Sequence, residues 1–121
     1  MKKCLIVDDS AVVRKLARMM VEGIGLSCIE AADGQQALDI CRAEMPILVL
    51  LDWNMPVMNG MDFMRALRAL PDGGQVKIVF CTTENNLPAI ETALAAGADE
   101  YIMKPFDADI LHSKFRQVGV I

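Results

Sequence analysis

Three aspartates stand at the ends of apolar segments, where an unpaired carboxylate is costly. Asp8 and Asp9 follow the apolar residues 4–7, and Asp52 follows the apolar residues 47–51. Two carboxylates about 4 Å apart repel each other by roughly 4 kcal/mol at an effective dielectric constant of about 20. If the three acids lie together in the fold, a positive group must offset their repulsion.

Further side chains could supply chemistry at such a cluster. Lys104 comes directly after the short segment 101–103, and Thr82 and Thr83 stand just beyond the segment 77–80. The lysine offers one positive charge and a divalent ion offers two, and ligands that are all oxygen suit magnesium or manganese. A carboxylate beside Mg²⁺ and an ammonium group can attack phosphorus and form an acyl phosphate. A solvated acidic loop is the alternative for a single Asp-Asp pair.

Strand-like and helix-like patterns alternate along the chain. They predict an α/β domain with a five-stranded parallel sheet and five helices on its two faces. The first, third and fourth strands are almost wholly apolar, as strands buried on both faces are, whereas the second and fifth carry charges, as edge strands do. The expected strand order is therefore 2-1-3-4-5, that of a flavodoxin-like doubly wound sheet. The predicted strands are Cys4–Val7, Ser27–Ala31, Ile47–Leu51, Lys77–Phe80 and Tyr101–Met103.

The predicted sheet also explains where the candidate residues meet. Parallel strands point the same way, so their carboxyl ends form one edge, and ligands bind there. Strands one and three are neighbours where the strand order reverses, so Asp8 and Asp9 should lie beside Asp52. Thr82 and Lys104 follow strands four and five. Four strand ends that each deliver a suitable residue favour a built site over a solvated acidic loop.

Apolar residues at helical spacing predict the buried faces of the helices. We expect a first helix with one apolar face and a fourth helix with a buried stripe. Trp53, in the loop after the third strand, is expected to cover the edge of the sheet. The residues at helical spacing are Val13, Leu16, Ala17, Met20 and Ile24 in the first helix, Ala37, Leu38 and Cys41 in the second, Phe63, Leu67 and Leu70 in the third, Leu87, Ile90 and Leu94 in the fourth, and Leu111, Phe115 and Val118 in the fifth.

The composition fits one domain, residues 1–121, because 54% of its residues are hydrophobic and can form a real core. The net charge of −4 argues against direct binding to nucleic acid. The apolar run 4–7 is too short for a signal peptide or a membrane span, so we expect a cytoplasmic protein without membrane insertion. The four cysteines form no C-x-x-C pair and are expected to be buried, reduced thiols.

The segments "IVDDS", "LLDWNMPVMNG", "FCTTE" and "YIMKPF" resemble the receiver domain of bacterial two-component response regulators. The resemblance covers the whole chain and is strongest to the small stand-alone chemotaxis type, which shares the wording Asp-Trp-Asn-Met-Pro. It implies that Asp52 is the phosphoacceptor. It also implies that Asp9 and Asp52 bind Mg²⁺ directly, together with the backbone carbonyl of Asn54, and that Asp8 acts largely through water.

The resemblance further implies how the phosphoryl group is held and sensed. Thr82, rather than Thr83, would donate a hydrogen bond to it, and Lys104 would pair with it across a Lys-Pro bond that is usually cis in the family. Tyr101 matches the aromatic switch position, which places the output on the fourth helix, fifth strand and fifth helix. Glu84, like Asn54, lies where a side chain can admit or block the hydrolytic water, and the two predict a short-lived phosphoprotein.

The implied partners are proteins. The phosphodonor would be a phosphohistidine on a sensor histidine kinase or a histidine phosphotransferase, because the sequence has neither a G-x-x-x-x-G-K-[ST] nor a G-x-G-x-x-G motif for ATP. The chain would act as a signalling switch rather than as an enzyme, on an unidentified downstream target. We expect a monomer, with dimerisation after phosphorylation as an alternative. A receiver cut from a larger regulator is the main alternative to a stand-alone domain.

Two other functions fit the same fold less well. A small Mg²⁺-dependent phosphohydrolase that works through an aspartyl phosphate would need an acid–base aspartate two residues after the nucleophile. This chain has Asn54 there, which cannot take up a proton. A flavodoxin-like electron carrier would need a hydroxyl-rich loop after the first strand, where Asp8 and Asp9 would instead repel the phosphate of FMN.

Overall fold

A computed structural model of the chain describes residues 2–53, 55, 57–82 and 87–121. In this part of the chain five parallel strands alternate with five helices, and the strand order is β2-β1-β3-β4-β5, as predicted. The predicted strands are confirmed, with ends that differ by one or two residues. The strands are β1 (Lys3–Val7), β2 (Ser27–Ala31), β3 (Leu48–Asp52), β4 (Lys77–Thr82) and β5 (Glu100–Met103). The helices are α1 (Ala11–Gly23), α2 (Gly34–Ala43), α3 (Gly60–Ala69), α4 (Leu87–Ala96) and α5 (Ala108–Gln117).

Two hydrophobic clusters cover the two faces of the sheet. Successive side chains of a strand point to opposite faces, so Leu5 and Val7 of β1 pack with α2, α3 and α4, whereas Cys4 and Ile6 pack with α1 and α5. β3 and β4 divide their side chains between the two clusters in the same way. Burial on both faces accounts for the apolar sequences of these central strands.

Polar side chains begin four of the helices. Ser10, Asp33, Asn59 and Asp107 each accept a hydrogen bond from a backbone N–H three residues later, at distances of 3.3, 2.8, 2.9 and 2.8 Å. Such a cap satisfies a donor that the first turn of a helix leaves without a partner. Each cap therefore fixes the residue at which the loop after a strand ends and the helix begins. No helix in the described ranges is long and apolar enough to cross a membrane.

The predicted buried stripe of α4 is partly wrong. Ile90 is buried, but Leu87 is 61% exposed and Leu94 is 39% exposed, and Ala93 faces the core instead. The helix is apolar on most of its circumference, so the sequence pattern does not fix which side faces the sheet. The same correction applies to Leu16 of α1, which is 52% exposed.

Residues Ala17 and Val21 are the ones that α1 buries. Leu16 instead lines a groove with Met20 and Phe106 on the surface of the molecule. The apolar face of α1 is thus wider than the strip that contacts the sheet, which explains why the spacing alone included an exposed leucine.

The four cysteines are buried, as predicted, and none is in a disulfide. Burial raises the pKa of Cys28 and Cys41 to about 11 and that of Cys81 to about 12, and it raises the pKa of Cys4 as well. A thiol with a raised pKa is rarely a thiolate at neutral pH and is therefore a poor nucleophile.

Candidate functional site

The register of the sheet brings the three aspartates together. Val7 of β1 is paired with Leu51 of β3, so the next residue of each strand, Asp8 and Asp52, lies at the same edge of the sheet. Asp8, Asp9 and Asp52 each place one carboxylate oxygen within 4.8 Å of the others. Asp8 is buried, Asp52 is half-buried and Asp9 is exposed, so the cluster opens to solvent on the side of Asp9.

Lys104 lies between two of these acids. Its ammonium Nζ is 2.7 Å from Oδ2 of Asp8 and 3.4 Å from Oδ1 of Asp52. The lysine is placed by its backbone, whose N–H donates to the carbonyl oxygen of Thr82 at 2.8 Å, and the Lys104-Pro105 peptide is cis. The ends of β1, β3, β4 and β5 therefore meet at one place.

The charges of the site do not balance, and the pKa values of its groups reflect this. Burial and the repulsion of Asp8 raise the pKa of Asp52, although the charge of Lys104 acts in the opposite direction. Burial by itself lowers the pKa of Lys104, but the hydrogen bond to Asp8 and the charge of Asp52 outweigh it and raise that pKa. The raised pKa of Asp52 therefore comes mainly from burial, whereas the raised pKa of Lys104 comes from its acidic neighbours.

Asp8 accepts hydrogen bonds at both of its carboxylate oxygens and at its backbone carbonyl oxygen. Its Oδ1 accepts a hydrogen bond from the N–H of Ser10 at 2.9 Å, and its Oδ2 accepts the one from Lys104. Its carbonyl oxygen accepts a hydrogen bond from Nη1 of Arg14 at 2.7 Å. Arg14 donates a second hydrogen bond, at 3.2 Å, to Oε1 of Glu30 on β2. Asp8 is therefore a fixed acceptor with both carboxylate oxygens engaged.

Sequence reasoning missed both Arg14 and Glu30. Glu30 also accepts a hydrogen bond from Arg18 at 2.7 Å, and the hydrogen bonds from Arg18 and Arg14 lower its pKa, so it stays ionised. An arginine at the fourth residue of α1 and a single acid in an edge strand give no sign in the sequence that they will meet. The direction of such long side chains depends on the packing of α1 against β2.

The donor set fits a hard divalent cation. Its groups are carboxylate oxygens, they carry more negative charge than Lys104 balances, and Asp9 leaves one side open to water. Magnesium prefers oxygen ligands and keeps several of its own waters, so a site with few carboxylates suits it. Asn54 and Glu84, which the resemblance assigns to metal binding and to control of hydrolysis, lie outside the described residues, and their roles stay predictions.

Trp53 lies in the loop directly after β3 and is partly buried. Its ring packs against the core and lies 5.3 Å, centroid to centroid, from the ring of Phe80 on β4. Gly60, the first residue of α3, allows this packing, because a Cβ there would lie 3.1 Å from both the carbonyl oxygen of Asp52 and the Trp53 ring. The start of α3 therefore approaches the end of β3 closely.

Thr82 and Tyr101 lie on neighbouring strands on the far side of Asp52. Thr82 is the last residue of β4, and Tyr101 is a half-buried residue of the edge strand β5. The ring of Tyr101 lies 6.2 Å from that of Phe80, centroid to centroid. Thr82 pairs with Met103 of β5, two residues beyond Tyr101, so the residue predicted for phosphoryl binding and the one predicted for switching lie on paired strands.

Comparison with known proteins gives one consistent result. The sequence model described as "Response regulator receiver domain" matches residues 4–116. The chain is 36% identical over 118 residues to the chemotaxis protein CheY homolog of Campylobacter jejuni. This alignment covers 96% of this chain and 91% of that protein. It is 40% identical over 115 residues to the DNA-binding response regulator MtrA of Mycobacterium leprae. That alignment covers 95% of this chain but only 50% of MtrA.

Solved structures agree with the sequence comparison. The solved structure of the chemotaxis response regulator CheY4 of Vibrio cholerae superposes with a TM-score of 0.92 at 31% identity, over 98% of both chains. The similarity therefore extends over nearly the whole length of two chemotaxis proteins and over half the length of a DNA-binding response regulator.

Proposed function

The chain belongs to the response regulator receiver domain family, whose general role is that of a phosphorylation-dependent switch, and we propose that Asp52 is its phosphoacceptor. One observation carries this proposal. Asp52 ends the central strand β3, beside two further aspartates and 3.4 Å from the ammonium of Lys104. Of the three acids, Asp52 alone combines a half-buried position with contact to a cation and a place on the central strand.

We propose that the phosphodonor is a phosphohistidine on a histidine kinase or a histidine phosphotransferase. An oxygen of Asp52 forms a bond to phosphorus while the P–N bond of the donor breaks, and the departing imidazole takes the electron pair of that bond. Asp52 is fixed by β3 and faces solvent on one side, so the donor can approach from outside the sheet. The acyl phosphate so formed is the signalling state.

The neighbouring residues prepare Asp52 for this reaction. Asp9 and Asp52 would hold Mg²⁺, with Asp8 acting through water because both of its carboxylate oxygens are already engaged. When bound, the ion supplies positive charge to the oxygens of the phosphoryl group. Lys104 can turn from Asp52 to a phosphoryl oxygen without leaving Asp8, which keeps the added charge paired.

We propose that the output surface consists of α4, β5 and α5. Leu87 and Leu94 are exposed on α4 and Tyr101 is half-buried on β5, so this surface offers apolar side chains to a protein partner. The family implies a downstream protein target. The exposed leucines of α4 can contact such a protein, whereas the fully buried stripe that the sequence predicts could not.

The assignment of Asp52 can be tested by intact mass. In the presence of Mg²⁺ and acetyl phosphate, the wild-type protein should gain one phosphoryl group. Asp52→Asn should gain none, whereas Asp39→Asn, which removes an exposed acid from α2, should be labelled like the wild type. Equal mass gain in Asp52→Asn and in the wild type would refute the assignment.

A further inference from the structure

Three aromatic rings form a row from the candidate site to the edge strand β5. The ring centroids of Trp53 and Phe80 are 5.3 Å apart, and those of Phe80 and Tyr101 are 6.2 Å apart. Phe80 and Tyr101 are register partners on β4 and β5, so their side chains leave the sheet on the same face. Aromatic pairs at these separations attract each other. The row therefore joins the residue after Asp52 to the edge strand.

A lysine of α5 holds the outer end of this row. Nζ of Lys114 lies 4.5 Å from the centroid of the Tyr101 ring and 3.4 Å from Oε1 of Glu100. The same oxygen of Glu100 accepts a hydrogen bond from the backbone N–H of Tyr101 at 3.0 Å. A cation placed over an aromatic ring is attracted to it. Glu100 thus anchors the lysine, and the lysine holds the ring.

We propose that Lys114 is a positioning residue of the switch, which holds Tyr101 in its resting position, and that Phe80 relays that position to Trp53 beside Asp52. The inference rests on the proposed function, since it assigns what fixes a residue that is expected to move on phosphorylation. Phe80 is 1% exposed and fills the space between the other two rings. Interiors are close-packed, so neither outer ring can shift far unless Phe80 repacks.

In this role Lys114 stabilises the ligand-free state of the protein. A contact made only in the resting state opposes any ligand that binds the other state. Removal of the ammonium should therefore raise the affinity for a phosphoryl mimic, although Lys114 lies on α5 and the mimic would bind at Asp52. A residue that served the stability of the fold alone would not raise this affinity.

Trp53 is the single tryptophan and reports the row directly. In a titration with beryllofluoride and Mg²⁺ followed by Trp53 fluorescence, Lys114→Met should bind roughly two- to fivefold more tightly than the wild type, the ratio expected for one exposed cation–π contact. Lys114→Arg keeps a cation and should bind like the wild type. Lys2→Met removes an exposed lysine before β1 and should also bind like the wild type. Wild-type affinity in Lys114→Met would overturn the role of Lys114.

The role of Phe80 is tested by a double-mutant cycle. Phe80→Leu interrupts the row with an apolar side chain, and Phe80→Met does so in its place if the leucine variant does not fold. In either background Lys114→Met should change the affinity by a clearly smaller factor than it does in the wild type. An undiminished effect there would overturn the relay through Phe80.

The outcome also separates this inference from the proposed function. A wild-type protein that fails to bind beryllofluoride contradicts the proposed function. The emission spectrum of Trp53 in ligand-free Lys114→Met then still tests the row. A shifted spectrum supports the contact between Lys114 and the row, and a wild-type spectrum overturns it.

Discussion

The ammonium of Lys104 lies 2.7 Å from Oδ2 of Asp8, a residue 96 positions away in the sequence. This contact joins the last strand to the first across the carboxyl edge of the sheet. Because Asp8 is almost fully buried and Asp52 lies on the other side of the ammonium, the lysine is the nearest positive charge to both carboxylates among the described residues.

Lys104→Met should therefore destabilise the metal-free protein. The methionine keeps most of the side-chain volume but leaves two largely buried carboxylates without their cation, which should cost about 2–3 kcal/mol of unfolding free energy. Mg²⁺ should restore more stability to this variant than it adds to the wild type, because it would replace the lost charge. Urea unfolding in EDTA and in Mg²⁺ measures both effects.

Lys77→Met is the control and should show neither effect, because Lys77 is the first residue of β4 and lies at the amino end of that strand, away from the site. A Lys104→Met protein that unfolds at the wild-type urea concentration in EDTA would contradict the electrostatic account of the site.

Asp9→Ala should weaken Mg²⁺ binding by about tenfold or more, since even the loss of a residue that only supports a metal ligand has effects of that size. Trp53 directly follows Asp52, so its fluorescence should follow a Mg²⁺ titration. Asp39→Ala is the control, because it removes an exposed acid on α2 and gives the same net charge as Asp9→Ala. If the two variants titrate alike, Asp9 is not a metal ligand.

The strand order and the place of the acids could be predicted because they depend on local features. Charged residues in β2 and β5 separate edge strands from central ones, and a carboxylate directly after an apolar strand must lie at the end of that strand. Once the order is known, Asp8 and Asp52 are neighbours by topology alone. These inferences need no knowledge of how any side chain is turned.

The orientation of α4 and the long polar contacts could not be predicted for a related reason. A helix that is apolar nearly all round, as residues 87–96 are, has no single face that the sequence marks as inner. Arg14 and Lys114 have several rotatable bonds each, and their partners are chosen by the packing of helices on the sheet. The aromatic row was hidden because Phe80 looks like any core residue of a central strand.

Arg68 offers a test of a contact far from the site. Its Nη1 donates to the carbonyl oxygens of Gly73 and Val76 at 2.8 and 2.6 Å, and its Nη2 donates to Gly97 and to Asp99 at 2.6 and 3.1 Å. Arg68→Met should lower the unfolding free energy by about 2–4 kcal/mol, because several part-buried acceptors would lose their donor. Thermal or urea unfolding measures this loss.

Mg²⁺ affinity should stay unchanged in Arg68→Met, because the cluster lies at the opposite edge of the sheet from Asp52. Arg65→Met, an exposed arginine one turn earlier on α3, is the matched control and should keep wild-type stability. A large loss of Mg²⁺ affinity in Arg68→Met would mean that the two edges of the sheet are coupled more strongly than the separate contacts indicate.

Thr82→Ala should separate phosphorylation from its output. A phosphoryl group on Asp52 adds up to about two negative charges with strong acceptor oxygens, and a hydroxyl at the end of the neighbouring strand β4 can donate to one of them. If Thr82 moves inward to do so, it frees space beside β5 into which Tyr101 can turn. The variant should still accept phosphate on Asp52, because the nucleophile, the acids and Lys104 are intact, yet it should transmit the change poorly.

Amide hydrogen exchange along residues 87–106, with and without beryllofluoride and Mg²⁺, measures this transmission. The wild type and Ser27→Ala, which loses a hydroxyl on the opposite edge strand β2, should show altered exchange in α4 and β5, and Thr82→Ala should show little. The alternative is that the phosphoryl group only adds charge and that the partner binds the edge of the sheet directly. In that case exchange would change around residues 52–60 alone, Thr82→Ala would behave like the wild type, and the coupling between Thr82 and Tyr101 would be wrong. A coupling free energy of only about 1–3 kcal/mol is enough to change partner affinity from several-fold to a hundredfold, so a modest difference in exchange would be meaningful.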